Sequence, residues 1–324
     1  MKRYGYLYDQ VCSLDNLRLS AQLARRNKRG KRVVRQIEAF DNDPEGNLIR
    51  LSESLKNKTF RTSPYTIFHR IVDSGKMREI SCLPFYPDRI LHHAIMNVIE
   101  PIITQTLITD TYSCIKKRGV HLAGKRTYYM IRQSDAQYVL KLDIKKFFPS
   151  VDHGVMKQAL RKKIKDPDLL WLLDEIIDST NGLPIGLYTS QLWSNLYLSG
   201  LDHFIKETLK IKYYIRYCDD MVIFHSDKKH LQVILDQIQE YLLGIHLELN
   251  RKSRIFPAIK GVDFLGWVFY PSHVRLRKSI KKRFAMAYKR LINHPTCHNY
   301  CSVASYWSYL KYCDSRFLIK KIAA

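Results

Sequence analysis

The sequence predicts an α+β fold: a sheet built from strand pairs, helices between them, and a separate basic helical unit at the C-terminus. Three observations lead there. YVLKLDI at 138–144 alternates in side-chain character, YYIRYCDDMVIF at 213–224 reads as two short β runs around a turn, and the last 54 residues hold twelve Lys or Arg and one acid. Strands and helices segregate along the chain, so the pattern is α+β.

At 324 residues the chain exceeds one average domain, and two or three subdomains are expected around one or two cores. Fifty-four Lys and Arg against 30 Asp and Glu give a formal charge of +24, which calls for a polyanionic partner, nucleic acid first. Seven cysteines without a regular framework suit a reducing compartment better than a disulfide scaffold. The N-terminal MKRYGYLYDQVCSLDN lacks the apolar core of a signal peptide, and no run reaches a membrane span, so a cytoplasmic protein is expected.

In chain order, residues 1–36 carry ten Lys or Arg and two Asp, densest in RRNKRGKRVVR at 25–35, either a solvated helix face or a clamp on a phosphate backbone. DNDPEGN at 41–47 reads as a loop. Residues 65–85 read as two strands joined at Asp73-Ser74-Gly75-Lys76, a hairpin with a basic tip. PDRILHHAIMNVIEPII repeats Ile90, Ala94 and Val98 at helical spacing, with His92 and His93 as structural residues. In the 138–144 strand, Leu140, Leu142 and Ile144 share one face and Val139, Lys141 and Asp143 the other.

Helices are expected over about 152–178, through TSQLWSNLYLSGLDHFIKETL and over 228–244, with NGLPIG as a loop and VDFLGWVFY as one strand or a strand pair. SIKKRFAMAYKRLI is an amphipathic helix with Ile280, Phe284, Tyr288 and Leu291 inward and Lys282, Arg283, Lys289 and Arg290 on other faces. Cys297, His298 and Cys301 lack the paired second half of a zinc site, and the simpler reading is buried free cysteines and a polar loop.

Two strand-borne acidic sites stand out, Asp143 and the Asp219-Asp220 turn, 76 residues apart. Neighbouring carboxylates disfavour each other's ionisation unless a cation is shared. Metal-assisted phosphoryl transfer uses two divalent ions about 3.5–4 Å apart, and three aspartates on neighbouring strands suit it. Taken alone, an Asp pair at a turn is commonly just solvated.

KLDIKKFFPSVD (141–152), IGLYTSQ (185–191), YCDD (217–220), LELNRKSRI (247–255) and FLGW (264–267) stand in the order and approximate spacing of the palm motifs of reverse transcriptases. The chain resembles that family over roughly residues 60–270. The resemblance implies a right-hand polymerase: N-terminal extension and fingers at 1–137, with part of 152–185 open to assignment to the fingers, an antiparallel-sheet palm at 138–270, and a basic helical thumb at 271–324. It implies Mg2+ as cofactor, two ions with Mn2+ as a substitute, held by Asp143, Asp219, Asp220 and Ile144. Lys252 resembles a proton donor to pyrophosphate, against a plain surface lysine. Phe148 falls where the family keeps a steric gate against the ribose 2′-hydroxyl, against a core residue beside Phe147. Lys76 and Arg78 resemble the residues that hold the incoming triphosphate, with Ile144, Ile185, Gly186 and Gln191 completing the nucleotide site. Phe264, Leu265, Gly266 and Trp267 resemble the primer grip, and Lys282, Arg283, Lys289 and Arg290 the thumb's nucleic-acid face.

Where most of the family reads Gln-Gly-x-x-x-Ser-Pro, this chain reads Ile185-Gly186-Leu187-Tyr188-Thr189-Ser190-Gln191. That departure, in a chain without the length for ribonuclease H or endonuclease parts, resembles the enzymes of diversity-generating retroelements. The resemblance implies a template RNA, an RNA–cDNA hybrid, deoxynucleoside triphosphates, a small basic accessory variability protein, and copying that errs at template adenines. Another bacterial reverse transcriptase, group II intron-like or defence-associated, stands as the alternative. Retron enzymes fit less well, because no Val-Thr-Gly occurs near the C-terminus. From another class, a non-catalytic basic RNA-binding scaffold would use the same charge without the carboxylates.

Overall fold

The structure is a computed structural model that describes residues 2–71 and 77–323, so the expected Asp73-Ser74-Gly75-Lys76 tip, and Lys76 as a triphosphate ligand, lie outside the described residues. The chain divides into two compact units, each assembled from several segments. The boundaries expected at 137/138 and 270/271 do not coincide with theirs.

The first unit contains residues up to Ile108, Lys146–Gly200 and Ile245–Leu247. Its strands β1 (Thr66–Ile71) and β2 (Met77–Cys82) form an antiparallel hairpin in which Arg70 opposes Arg78. Helices Leu14–Ala24, Pro44–Lys56 and Ile90–Thr104 pack through Leu17, Leu51, Leu55, Ile95 and Ile99, all buried. The expected loop at 41–47 is mostly helix. Asp43 accepts the Gly46 N–H as N-cap, and Pro44 takes the first turn, where its missing N–H has no partner to lose. His92 is buried against Thr189, as its structural assignment expected.

In the second unit, a five-stranded sheet runs β3 (Thr111–Tyr112), β5 (Tyr213–Tyr217), β6 (Asp220–His225), β4 (Tyr138–Asp143) and β7 (Arg254–Pro257) in spatial order. All neighbours are antiparallel except the short β3, which runs parallel to β5 at the edge. A second sheet holds β8 (Val262–Phe264), β9 (Trp267–Phe269) and β10 (Val274–Leu276). Leu265 and Gly266, both at positive φ (56° and 94°), form the two-residue turn between β8 and β9, where the primed turn types suit the strand twist.

The C-terminal helices, Lys278–Asn293, Cys297–Leu310 and Arg316–Ala323, are not set apart from the sheet. Phe284, Leu310 and Leu318 join Trp267, Phe269, Ile215 and Phe224 in one hydrophobic cluster. Cys297 and Cys301 lie exposed on a helix, not buried in a loop, because Thr296 caps that helix by accepting the Asn299 N–H. No helix of the described residues is long and apolar enough to cross a membrane.

Candidate active site

Strand β4 delivers Asp143 to the end of the sheet because Val139, Leu140 and Leu142 are fully buried and leave its register no freedom. In that register Asp143 is the direct partner of Asp220, the first residue of β6, so the two carboxylates share one face. β5 and β6 pair from Tyr217 opposite Asp220, leaving Cys218-Asp219 as a two-residue turn with Cys218 at φ 58°. Three carboxylates thus fall at one end of adjacent strands.

The segment Asn250–Ser253 fixes Asp143 from three sides. Asn250 donates its N–H to the Asp143 carbonyl (2.7 Å) and its side-chain amide to Asp143 Oδ2 (2.9 Å), while the Asp143 N–H donates to Ser253 Oγ (3.2 Å). Lys252 projects from this turn, exposed. Its neighbours Asn250 and Ser253 escaped the sequence reading, although they lie in the LELNRKSRI segment, because nothing in their spacing announces a partner 107 residues earlier.

Asp220 keeps 31% of its side chain exposed, yet its Oδ1 is buried and accepts no hydrogen bond. Lys141 Nζ stands 3.5 Å from that oxygen, an ion pair at longer than ordinary hydrogen-bond distance. Burial raises the Asp220 carboxyl to about 6; Lys141 opposes the shift, while Asp219 and Asp143 add to it. An ordered carboxylate with an unmet oxygen, beside two more carboxylates, suits a divalent cation. Among the described residues no three His, Cys, Asp or Glu side chains already form a cage. Mg2+ needs none, since it binds through one or two carboxylates plus water and substrate phosphates. Ile144 is buried and bridged through its backbone to Leu249, so only its carbonyl could serve a metal or nucleotide.

The first unit brings several nucleotide-site candidates together. Phe147 is buried against Tyr197, while Phe148 is only half-buried and its carbonyl accepts the Leu183 N–H (2.8 Å). The next turn of that loop reaches β2, where the Ile185 carbonyl accepts the Ser81 N–H (2.8 Å). Gly186, at φ 118°, lies so close that a Cβ would stand 2.6 Å from the Ser81 carbonyl oxygen, which explains why glycine follows Ile185. Arg78 is exposed on the same strand, and Gln191 is exposed on helix Tyr188–His203.

The FLGW segment divides. Phe264 and Trp267 are buried, Trp267 donating its indole N–H to the Tyr309 carbonyl, so these side chains pack the core and only the Leu265-Gly266 turn remains to touch a ligand. On helix Lys278–Asn293, Lys282, Lys289 and Arg290 are exposed and Arg283 is half-buried, with Phe284 turned inward.

Residues 60–269 match the family model described as reverse transcriptase (RNA-dependent DNA polymerase). The chain belongs to the reverse transcriptase family. Among curated relatives, the chain is 24% identical over 241 residues to Protein YkfC of Escherichia coli strain K12, covering 60% of this chain and 63% of that one. It is 28% identical over 233 residues to the Retron Ec73 reverse transcriptase of Escherichia coli, covering 64% and 71%. Against the group II intron-encoded protein LtrA of Lactococcus lactis subsp. cremoris it is 25% identical over 238 residues, covering 70% of this chain and 36% of LtrA. The match thus spans less than two thirds of YkfC and LtrA. The reverse transcriptase match contains the Asp143, Asp219 and Asp220 cluster together with the Phe148 and Ile185 segments.

Proposed function

We propose that this protein is an RNA-directed DNA polymerase that copies a template RNA into complementary DNA. The observation that carries the reading is the direct pairing of Asp143 with Asp220 beside the Cys218-Asp219 turn, with an unmet carboxylate oxygen at its centre. Asp143, Asp219 and Asp220 would hold Mg2+, with the Ile144 carbonyl alongside; when bound, the ions supply activation of the primer 3′-hydroxyl and charge stabilisation at the leaving pyrophosphate. Asn250 and Ser253 hold Asp143 in orientation before substrate arrives, and Lys141 balances part of the negative charge in their absence. Phe148 excludes a ribose 2′-hydroxyl by shape. Arg78 offers a planar fork to the triphosphate, a geometry that favours bidentate phosphate contacts. Lys252, exposed beside Asp143's partners, is the proton donor to pyrophosphate.

The fingers, palm and thumb are assigned to 1–137, 138–270 and 271–324, with the RNA–cDNA hybrid along Lys282, Lys289 and Arg290. The finer reading is a diversity-generating enzyme that errs at template adenines and works with a small basic accessory protein. Its support is the apolar Ile185 before Gly186 and Gln191 in place of proline. A second reading, a retron- or group II intron-type reverse transcriptase, is favoured by the similarity to the Retron Ec73 enzyme and LtrA.

Extension of a DNA primer on a defined RNA with Mg2+ and deoxynucleotides tests the polymerase reading, and RNA binding without extension would leave a scaffold. Sequencing the products separates the subtypes: errors concentrated at template adenines support the diversity-generating enzyme, and uniform accuracy supports the second reading.

A further inference from the structure

Beneath the Cys218-Asp219 turn lies an ion pair that the chemistry above does not use. Arg216 on β5 and Asp202 are both fully buried, with Arg216 Nε 2.8 Å from Asp202 Oδ1 and Nη2 2.6 Å from Oδ2. The carboxylate is itself fixed, accepting the Tyr214 hydroxyl (2.7 Å) and the Thr111 hydroxyl (2.8 Å). The third guanidinium nitrogen, Nη1, donates to the Cys218 carbonyl (2.9 Å). We propose that Arg216, locked by Asp202, is a positioning residue that sets the orientation of the Asp219 carboxylate through the Cys218 carbonyl.

Stability alone does not account for the pair. Replacing a buried ion pair by apolar groups of similar volume is often neutral or stabilising, because desolvating two charges offsets their attraction. What an apolar pair cannot do is hold the turn. The Cys218 carbonyl and the Asp219 amide belong to one planar peptide, so a bond to the oxygen fixes the plane from which Asp219 departs. That plane needs holding, because Cys218 sits at φ 58°, a region unfavourable for a side chain with a Cβ and stable only where the surroundings impose it. Arginine is required because its planar fork gives two nitrogens to Asp202 and keeps a third for the turn. Lysine offers one charged centre that cannot reach both in this geometry.

The proposal rests on the polymerase reading, and its test separates the two. Arg216→Lys keeps the charge and the pairing with Asp202 but loses the directed third donor. It is expected to melt near the wild-type temperature while the Mg2+ concentration for half-maximal primer extension rises about 10- to 100-fold, the usual effect of losing an outer partner of a metal ligand. Amide exchange over residues 217–221 should also quicken without metal, with the rest of the sheet unchanged. Should the lysine variant fail to fold, Asp202→Leu with Arg216→Met, a neutral pair of similar volume, supplies the same comparison. Wild-type Mg2+ dependence and wild-type exchange in a folded variant would overturn the proposal. If the wild-type protein makes no DNA, the polymerase reading fails, and the exchange rates alone decide whether Arg216 orders the turn.

Discussion

Asp143 and Asp220 oppose each other directly across β4 and β6, so two like-charged groups occupy a pair position where like charges destabilise a sheet. The fold tolerates this because Asp220 is held up to about 6 and Lys141 stands beside it. On the proposed metal-binding reading, a cation would relieve this repulsion, and the site would trade stability for function.

Asp220→Asn should therefore stabilise the metal-free protein. Below the unfolded carboxyl value near 4 the native and unfolded groups are both protonated, and the substitution changes little. Above about 6 the native carboxylate must ionise where it is disfavoured, so the gain from asparagine is present in full at pH 8. With partial exposure discounting the shift, the gain is of order 1–2 kcal/mol. Melting curves at pH 4 and pH 8 read it directly. Added Mg2+ should raise the wild-type melting temperature more than the variant's, which keeps Asp143 and Asp219 but loses the third carboxylate, by mass action on the native state.

The double variant Asp219→Asn with Asp220→Asn should make no DNA while binding RNA nearly as well as wild type. On the proposed assignment the carboxylates hold ions rather than RNA, and their loss would remove several kcal/mol of transition-state stabilisation. Primer extension and a filter-binding titration on the same preparations check both halves. Substantial extension by the double variant would sink the catalytic assignment.

His92 supplies an independent pH dependence. Burial pushes its imidazole down to about 3, helped by His93 and Arg89, so it stays neutral against Thr189. The unfolded group titrates near 6.5, so the unfolded state binds more protons at any pH between the two values. Stability from this group is complete above about 6.5 and is lost as pH falls toward 3, reaching a loss of about 2 kcal/mol at pH 5. His92→Asn should flatten the fall in melting temperature between pH 7 and pH 5; an unchanged fall would place the proton uptake elsewhere, His93 first, since burial holds it at about 4.

Local periodicity made β4 and helix Lys278–Asn293 legible, because each is fixed by alternation or amphipathic spacing within a few residues. The turn expected at Asp219-Asp220 falls one residue earlier, at Cys218-Asp219, because Asp220 already pairs with Tyr217 as the first residue of β6. The partners of Asp143 were not legible, since Asn250 and Ser253 meet it only once β7 has paired with β4. Nothing in the spacing of YYIRY marks Arg216 as fully buried against Asp202, a partner fourteen residues earlier. The helix at Pro44 was misread because Pro, Gly and Asn are also helix-start residues when an Asp precedes them. Phe264 and Trp267 show the limit of motif reasoning: the segment was recognisable, but which side chains it spends on the core was not.

Neutralising three exposed cations of helix Lys278–Asn293 should weaken RNA binding and flatten its salt dependence. Single-stranded RNA gives a slope near −0.7 per phosphate contacted, so Lys282→Gln, Lys289→Gln and Arg290→Gln together should reduce the slope by about 2. Arg283 is left in place because it is half-buried and its removal would disturb packing. Fluorescence anisotropy at several salt concentrations measures the slope, and an unchanged value would turn this face away from the nucleic acid.

Phe148→Ala should admit ribonucleotides. Phe147 fills the core, leaving the half-buried Phe148 ring as the one of the pair that a substrate can meet. Incorporation of ribonucleotides relative to deoxynucleotides should rise at least tenfold, roughly the 1–3 kcal/mol that a pocket's shape can impose on one added group. An unaltered preference would make Phe148 a packing residue.

Ile185→Gln should change misincorporation opposite template adenine more than opposite the other bases. The Ile185 carbonyl is anchored to the Ser81 N–H and Gly186 is pressed against the same strand, so substitution at 185 changes a side chain on a fixed backbone rather than the path of the loop. Ile185 is partly exposed, which leaves that side chain available to a ligand. On the proposed assignment an isoleucine at the templating base supplies shape and no hydrogen bond, which would leave discrimination to base pairing alone. Glutamine restores a donor and an acceptor, and one hydrogen bond of about 1 kcal/mol moves an error rate several-fold. Complementary DNA made by both proteins from one defined RNA, with and without a small basic accessory protein, is sequenced to read the change. Equal adenine error in the two would remove Ile185 from fidelity, whereas accurate copying by the wild type under both conditions would favour a retron- or group II intron-type enzyme.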